Sequence, residues 1–229
     1  MMHRSSPYRI RNLLLGVILA AAFTSGWAQT PPRPGTQPAF GLLDLDEGTI
    51  ECAIRLSFDP HTVPGGHVGY GSIFRFSTGD AAFPQDGLTM SLHSRNGGAF
   101  IRVQFTSSGR AVANVLNIGI GRTEQAGEWM HIALTWSRAE RLFRAYVNGR
   151  PSGSRAFLSG LDLDAVVTSR ATMTIGPEGG DRKNFEVGAV RISRIQRTPD
   201  DLAAAPSPLR ADAQTLWLLD EAGAVGGEQ

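Results

Sequence analysis

Cysteine is almost missing from this chain. Cys52 is the only one in 229 residues, so no intramolecular disulfide can form. A surplus of one charge is missing too: 22 lysines and arginines stand against 21 aspartates and glutamates, a formal charge of +1. A phosphate-backbone binder needs clustered positive charge, so no nucleic-acid partner is expected. The one long apolar run, residues 13–23, falls short of the about 20 residues a membrane span requires. Extended helical periodicity is also lacking; apolar and polar residues instead alternate over short stretches. Parallel α/β folds need helical crossovers and are thereby excluded.

What is present begins with a basic N-terminus. Arg4, Arg9 and Arg11 precede the apolar run, and Gly26-Trp27-Ala28 offers small residues at the −3 and −1 positions of a cleavage site. Residues 1–28 therefore read as a secretory signal peptide cut after Ala28. Its removal takes the formal charge from +1 to −2 and leaves no expected membrane span. The expected location is exported, periplasmic or extracellular. Residues 29–39 contain four prolines and read as an extended leader. Residues 40–229 form the expected single domain.

Within that domain 27 glycines, counted over the whole chain, suggest many tight turns between short strands. Ile50, Cys52, Ile54, Leu56 and Phe58 share one face of a strand, which makes Cys52 a small core residue rather than a nucleophile. Residues 71–77 form a further strand. Leu88, Met90 and Leu92 alternate with Thr89, Ser91 and His93. After the turn at Asn96-Gly97-Gly98, Ile101, Val103 and Phe105 alternate with Arg102, Gln104 and Thr106. That is a hairpin with one dry and one wet face. Met130, Ile132, Leu134 and Trp136 oppose Phe143, Ala145 and Val147 in a second hairpin. Trp136 and Phe143 are expected in the core, and Asn148-Gly149 marks the following turn. Later strands are expected at 171–175, 186–193 and 215–219. A short helix is expected at 199–204, with Thr198 as N-cap and Pro199 at its first position. The order predicts an all-β, two-sheet antiparallel sandwich.

Three stretches carry a family resemblance. Glu47-Gly48-Thr49-Ile50-Glu51 is similar to an opening Gly-Thr-Ile-Glu strand. Trp129-Met130-His131-Ile132-Ala133, running on to Tyr146-Val147-Asn148-Gly149, resembles a central Trp-x-His-Val-Ala hairpin with its Tyr-Val-Asn-Gly exit. Val190-Arg191-Ile192 resembles a closing Val-Arg-Ile strand. The family is the laminin-G-like, concanavalin A-like jelly roll of secreted bacterial proteins, related to pentraxins and legume lectins. The resemblance covers most of residues 40–205. It implies a roughly 14-stranded jelly roll that binds carbohydrate or protein. Where the family often has an acid just before the closing segment, this chain has Gly188 and Ala189.

Several residues are candidates for chemistry. Some hydrolases on this sandwich carry Glu-x-Asp-x-Glu on one strand, and Asp44, Asp46 and Glu47 are the acids whose spacing approaches it. Neither register supplies three acids, and an exposed strand end is expected. His131 lies on the wet face of its strand and reads as a histidine bonded across the sheet. Trp129 is either a sugar-stacking platform or a cover over the sheet, the second being favoured. His61, His67 and His93 lack zinc-ligand spacing. Calcium suits the fold better, and Asp80 and Asp86 bracket a loop that could close on it. Asp181 and Asn184 form a weaker pair, and Asp162 and Asp164 read as solvent-facing. Arg191, Arg194 and Arg197 could meet an acidic polysaccharide but read as a solvated strand end.

The functional expectation is an exported, non-catalytic module for a glycan or a cell-envelope or extracellular protein. The alternatives are a glycoside hydrolase on the same sandwich, or a structural domain from a tandem array. Leu218-Leu219-Asp220-Glu221-Ala222-Gly223 echoes Leu45-Asp46-Glu47-Gly48, and so reads either as a closing strand or as the start of another module.

Overall fold

The computed structural model describes residues 36–38, 46–63, 66–77, 87–107, 110–120, 123–156, 172–176, 184–203, 208–219 and 225–226. Among them thirteen strands form two antiparallel sheets, the sandwich expected from alternation and the jelly roll that the resemblance implies. One sheet has six strands: β1 (Thr36–Pro38), β10 (Thr172–Ile175), β3 (His67–Ser77), β4 (Gly87–Arg95), β5 (Gly98–Ser107) and β6 (Arg110–Gly119), in that order. The other has seven: β13 (Val225–Gly226), β12 (Thr215–Leu219), β11 (Phe185–Ser193), β2 (Glu47–Leu56), β7 (Trp129–Ser137), β8 (Leu142–Val147) and β9 (Arg150–Ala156).

The core lies between the sheets, and period-2 alternation puts it there. Ile50, Cys52, Ile54 and Leu56 of β2 meet Ile132, Leu134 and Trp136 of β7 from one side. Phe74, Phe76, Leu88, Met90, Leu92, Ile101 and Val103 supply the other side. Cys52 is fully buried, and burial, reinforced by the neighbouring Glu51 charge, pushes its thiol up to about 12. It stays a protonated core residue, as its place in the strand predicts. Trp136 and Phe143 are cross-strand partners, 4% and 1% exposed. Gly48 faces Trp136 across β2 and β7, and a Cβ there would sit 2.3 Å from the indole. The glycine of the opening motif therefore makes room for the central tryptophan.

Turn chemistry follows the sequence. Asn96 and Gly97 have φ of 53° and 86°, and Asn148 and Gly149 have 50° and 72°. Two consecutive positive φ values define the type I′ turn that matches strand twist. Gly149 meets a second demand, because a Cβ there would lie 2.6 Å from Ala203 Cα. Helix α1 (Pro199–Ala203) thus packs on this turn, placing Leu202 against Ala133 and Tyr146. Thr198 caps it reciprocally: Asp201 N donates to Thr198 Oγ1 (3.2 Å) and Thr198 N donates to Asp201 Oδ2 (2.9 Å).

One segment differs in kind from the sequence reading. Thr36–Pro38, inside the proline-rich stretch, pairs with β10 at a sheet edge. An edge tolerates a proline because its missing N–H breaks no ladder within the sheet. At the start of the C-terminal echo, Leu218 and Leu219 pair with Arg191 and Val190 of β11 within the strand expected at 215–219, while residues 220–223 lie outside the described residues.

Candidate functional site

The motif residues converge on the outward face of the seven-stranded sheet, beneath residues 194–203 and 208–212. Glu51, Arg191 and Ala133 are direct cross-strand neighbours pointing away from the core. Glu51 is fully buried. Arg191 donates to both its oxygens, Nε to Oε2 at 2.7 Å and Nη2 to Oε1 at 2.8 Å. Arg197 Nε lies 3.1 Å from Oε2, and His131 Nε2 lies 3.1 Å from Oε1. Arg197 also reaches Asp212 Oδ2 at 2.6 Å and Ser193 Oγ at 3.0 Å, while Arg191 Nη1 donates to the carbonyl of Arg210. Thr49 Oγ1 donates to the Ile195 carbonyl and accepts from Arg197 N. Burial alone would raise the Glu51 carboxyl, but the hydrogen bonds and charges of His131 and Arg191 outweigh it and hold the group below its ordinary range.

This geometry assigns the opening Glu, the hairpin His and the closing Arg to one internal ion network. Asn148 completes it, accepting from His131 N (2.8 Å) and donating to Glu124 Oε1 (3.1 Å). His131 is bonded across the sheet, as expected. The reading of Arg191 and Arg197 as a solvated strand end is corrected: they are 3% and 7% exposed, enclosed by Glu51, Ser193, the Arg210 carbonyl and Asp212. Only Arg194 of the three is exposed.

Trp129 packs over the same sheet. A Cβ on Gly188 would approach its ring edge at 3.0 Å and the Ala53 Cβ at 3.5 Å, while Arg55 sits over the ring, 4.8 Å from its centroid. Arg55 in turn pairs with Glu186 at 2.5 Å. The tryptophan covers the sheet, and the missing acid at position 188 is the space its ring occupies.

The other candidates are not gathered into a site. Asp46 stands at an exposed strand end, with its side chain 82% accessible and 3.1 Å from Arg138 Nε. Glu47 is exposed beside it. His61 Nε2 contacts the Glu124 carbonyl at 3.1 Å. Asp44, Asp80, Asp86, Asp162, Asp164 and Asp181 lie outside the described residues. Asn184, just before β11, is half-buried, and its carbonyl accepts from Ser57 N. Among the described residues no cluster of three or more His, Cys, Asp or Glu could hold a metal.

The outward face of the six-stranded sheet is a second polar surface, already legible as the wet side of the first hairpin. Register lays its side chains in rows. One row is Thr174, Arg75, Thr89 and Gln104. The next is Ser72, Ser91, Arg102 and Asn117, and the third is Gly69, His93, Phe100 and Gly119. His93 and Phe100 stack with centroids 5.7 Å apart and planes 21° apart, and Arg102 lies 5.7 Å from the Phe100 centroid. Ser91 Oγ is 2.8 Å from His93 Nε2. Gly69, Asn117 and Gly119 are exposed around this shelf, and the space at Gly119 is empty where a Cβ would be. Alternation predicts that these side chains face outward; their grouping around Phe100 depends on the pairing of four strands, which one strand's periodicity does not carry.

No curated protein matches the chain. Among solved structures, it is similar to a native heptameric SAP-like pentraxin from Limulus polyphemus, with 17% identity over 76% of each chain and a TM-score of 0.48. A protein from Bacteroides ovatus aligns over 84% of this chain and 54% of its own, at 15% identity and a TM-score of 0.49. Ruminococcus gnavus IT-sialidase CBM40 bound to alpha2,3 sialyllactose aligns over 70% and 82%, at 16% and 0.46. At such identities the likeness is one of fold. The family model of the concanavalin A-like lectin/glucanase superfamily, in its laminin-G-like form, matches residues 47–203, and to that family this chain belongs.

Proposed function

We propose that this chain is a non-catalytic glycan-binding module, exported as its N-terminus suggests, that holds its ligand on the outward face of the six-stranded sheet. The single observation behind this reading is the Phe100–His93 shelf, set among Thr89, Ser91, Gln104 and Asn117. Sugar rings present apolar C–H faces and a rim of hydroxyls, which an aromatic face and planar amide or hydroxyl groups complement. The opposite outer face is taken up by the ion network and its covering segment, and Asp46 by Arg138. Among the described residues no helix is long and apolar enough to cross a membrane.

The test is a glycan array probed with wild type and Phe100→Ala, with and without calcium. At least one glycan should bind, and Phe100→Ala should weaken it about tenfold or more, the scale of losing one stacking contact. Binding unaffected by Phe100→Ala would move the site elsewhere. Release of reducing sugar by wild type would contradict the non-catalytic reading.

A further inference from the structure

We infer that residues 194–203 and 208–212 form an acid-released strap over the outward face of the seven-stranded sheet, lifting from it while the sandwich stays folded. Polar and charged groups fasten this strap. Arg197 Nε lies 3.1 Å from Glu51 Oε2, Arg197 Nη2 donates to Ser193 Oγ at 3.0 Å, and Thr49 Oγ1 donates to the Ile195 carbonyl at 2.7 Å. From the sheet, Arg191 Nη1 donates to the Arg210 carbonyl at 2.8 Å and lies 3.7 Å from Asp212 Oδ2. Asp212 also accepts from Arg197 Nη2 at 2.6 Å, which ties the two stretches of the strap together. Apolar support is small: Leu202 with Ala133 and Tyr146 makes a cluster separate from the main core. Among the described residues the buried charged side chains are Glu51, Glu124, Arg191 and Arg197, and three of these four lie under or in the strap. The fourth, Glu124, bonds Thr123 and Asn148. None of the four is among the residues packed between the sheets, so acid has no buried charge to remove there.

Glu51 is faced by Arg191 from β11, His131 from β7 and Arg197 from the strap. Asp212 is faced by Arg191 and Arg197, and Asp201 of α1 feels both Arg197 and Asp212. Burial would raise both carboxyls. The bonds of His131 and Arg191 to Glu51, and of Arg197, Gln214 and Thr215 to Asp212, outweigh it and hold both below their ordinary ranges. Their contribution is therefore complete above the ordinary carboxylate value and is lost as pH falls through the lower folded values, below about pH 4. Arginine keeps its proton throughout. With Glu51 and Asp212 neutral, two guanidiniums and the His131 imidazole face one another under the strap without a counter-charge between them. A segment with so few apolar contacts opens locally before the core does.

The test is amide hydrogen exchange of the full chain, with no glycan present, from about pH 7 to about pH 3 and corrected for the intrinsic exchange rate. Below about pH 4 the opening constant of residues 194–203 and 208–212 should rise about tenfold per pH unit for each carboxylate protonated, while β4 and β5 keep their protection. Glu51→Gln should open the strap about tenfold or more at neutral pH and flatten the acid response. Leu202→Ala should loosen the strap at every pH without flattening that response, which separates the charged fastening from apolar packing. In wild type, loss of protection by the strap and by β4 and β5 together at one pH would overturn the inference. Strap protection that does not change with pH would overturn it as well. Should Glu51→Gln fail to fold, Asp212→Asn in the same series decides: a flatter acid response supports the inference, and a response equal to that of wild type counts against it.

Discussion

Glu51 is the residue on which the outer half of the seven-stranded sheet depends. A fully buried carboxylate is tolerated because Arg191, Arg197 and His131 meet both its oxygens. Glu51→Gln would leave two nearly buried guanidiniums without their counter-charge, and should destabilise the protein by about 3–5 kcal/mol, read from the urea midpoint. The carboxyl is held below its ordinary range when folded. Its contribution is therefore complete above the unfolded value, near about pH 4.3, and is lost as pH falls through the lower folded value. Wild type should lose stability steeply on acidification below about pH 4, and Glu51→Gln should follow a flatter curve. Parallel curves would mean that Glu51 does not carry the acid sensitivity.

At the scale of elements, β2 and β7 show how one motif position fixes a neighbour's packing. Gly48 has no side chain because the Trp136 indole occupies that volume. Trp136→Ala should cost about 3–5 kcal/mol by deleting a large buried ring. Gly48→Ala should cost about 1–3 kcal/mol by overpacking. Combined, the two should cost less than their sum, because the cavity accepts the new methyl group; a strictly additive double mutant in denaturant melts would refute the contact. Strands such as β2, β7, β8, β11 and β12 were legible because apolar side chains alternate along them. β6 and β9 were not foreseen. β9 is an edge strand reading Arg-Pro-Ser-Gly-Ser-Arg-Ala, with no apolar face to announce it. Arg191 shows the other limit. Alternation places it correctly on the outward side, but only the approach of Arg210 and Asp212 decides that this side is buried.

Over the whole molecule, the two outer faces have different fates. The seven-stranded sheet is closed by α1 and the segment around it, held by Glu51, Thr49 and Gly149. The six-stranded sheet keeps a polar face with an aromatic shelf. The wet side of its hairpin was evident from Thr89, Ser91, Arg102 and Gln104, whereas the convergence of Phe100, His93 and Arg102 needed the cross-strand register. The family motifs mark the buried network and not the shelf, which is why they point to the fold and not to the proposed binding face. The most direct measurement is amide hydrogen exchange with and without a bound oligosaccharide. The account predicts added protection confined to β4, β5 and β6, with Glu47–Leu56 and residues 194–212 unchanged. Protection centred on Asp46, Glu47 and the Arg138 turn, with β4 and β5 unaffected, would contradict it.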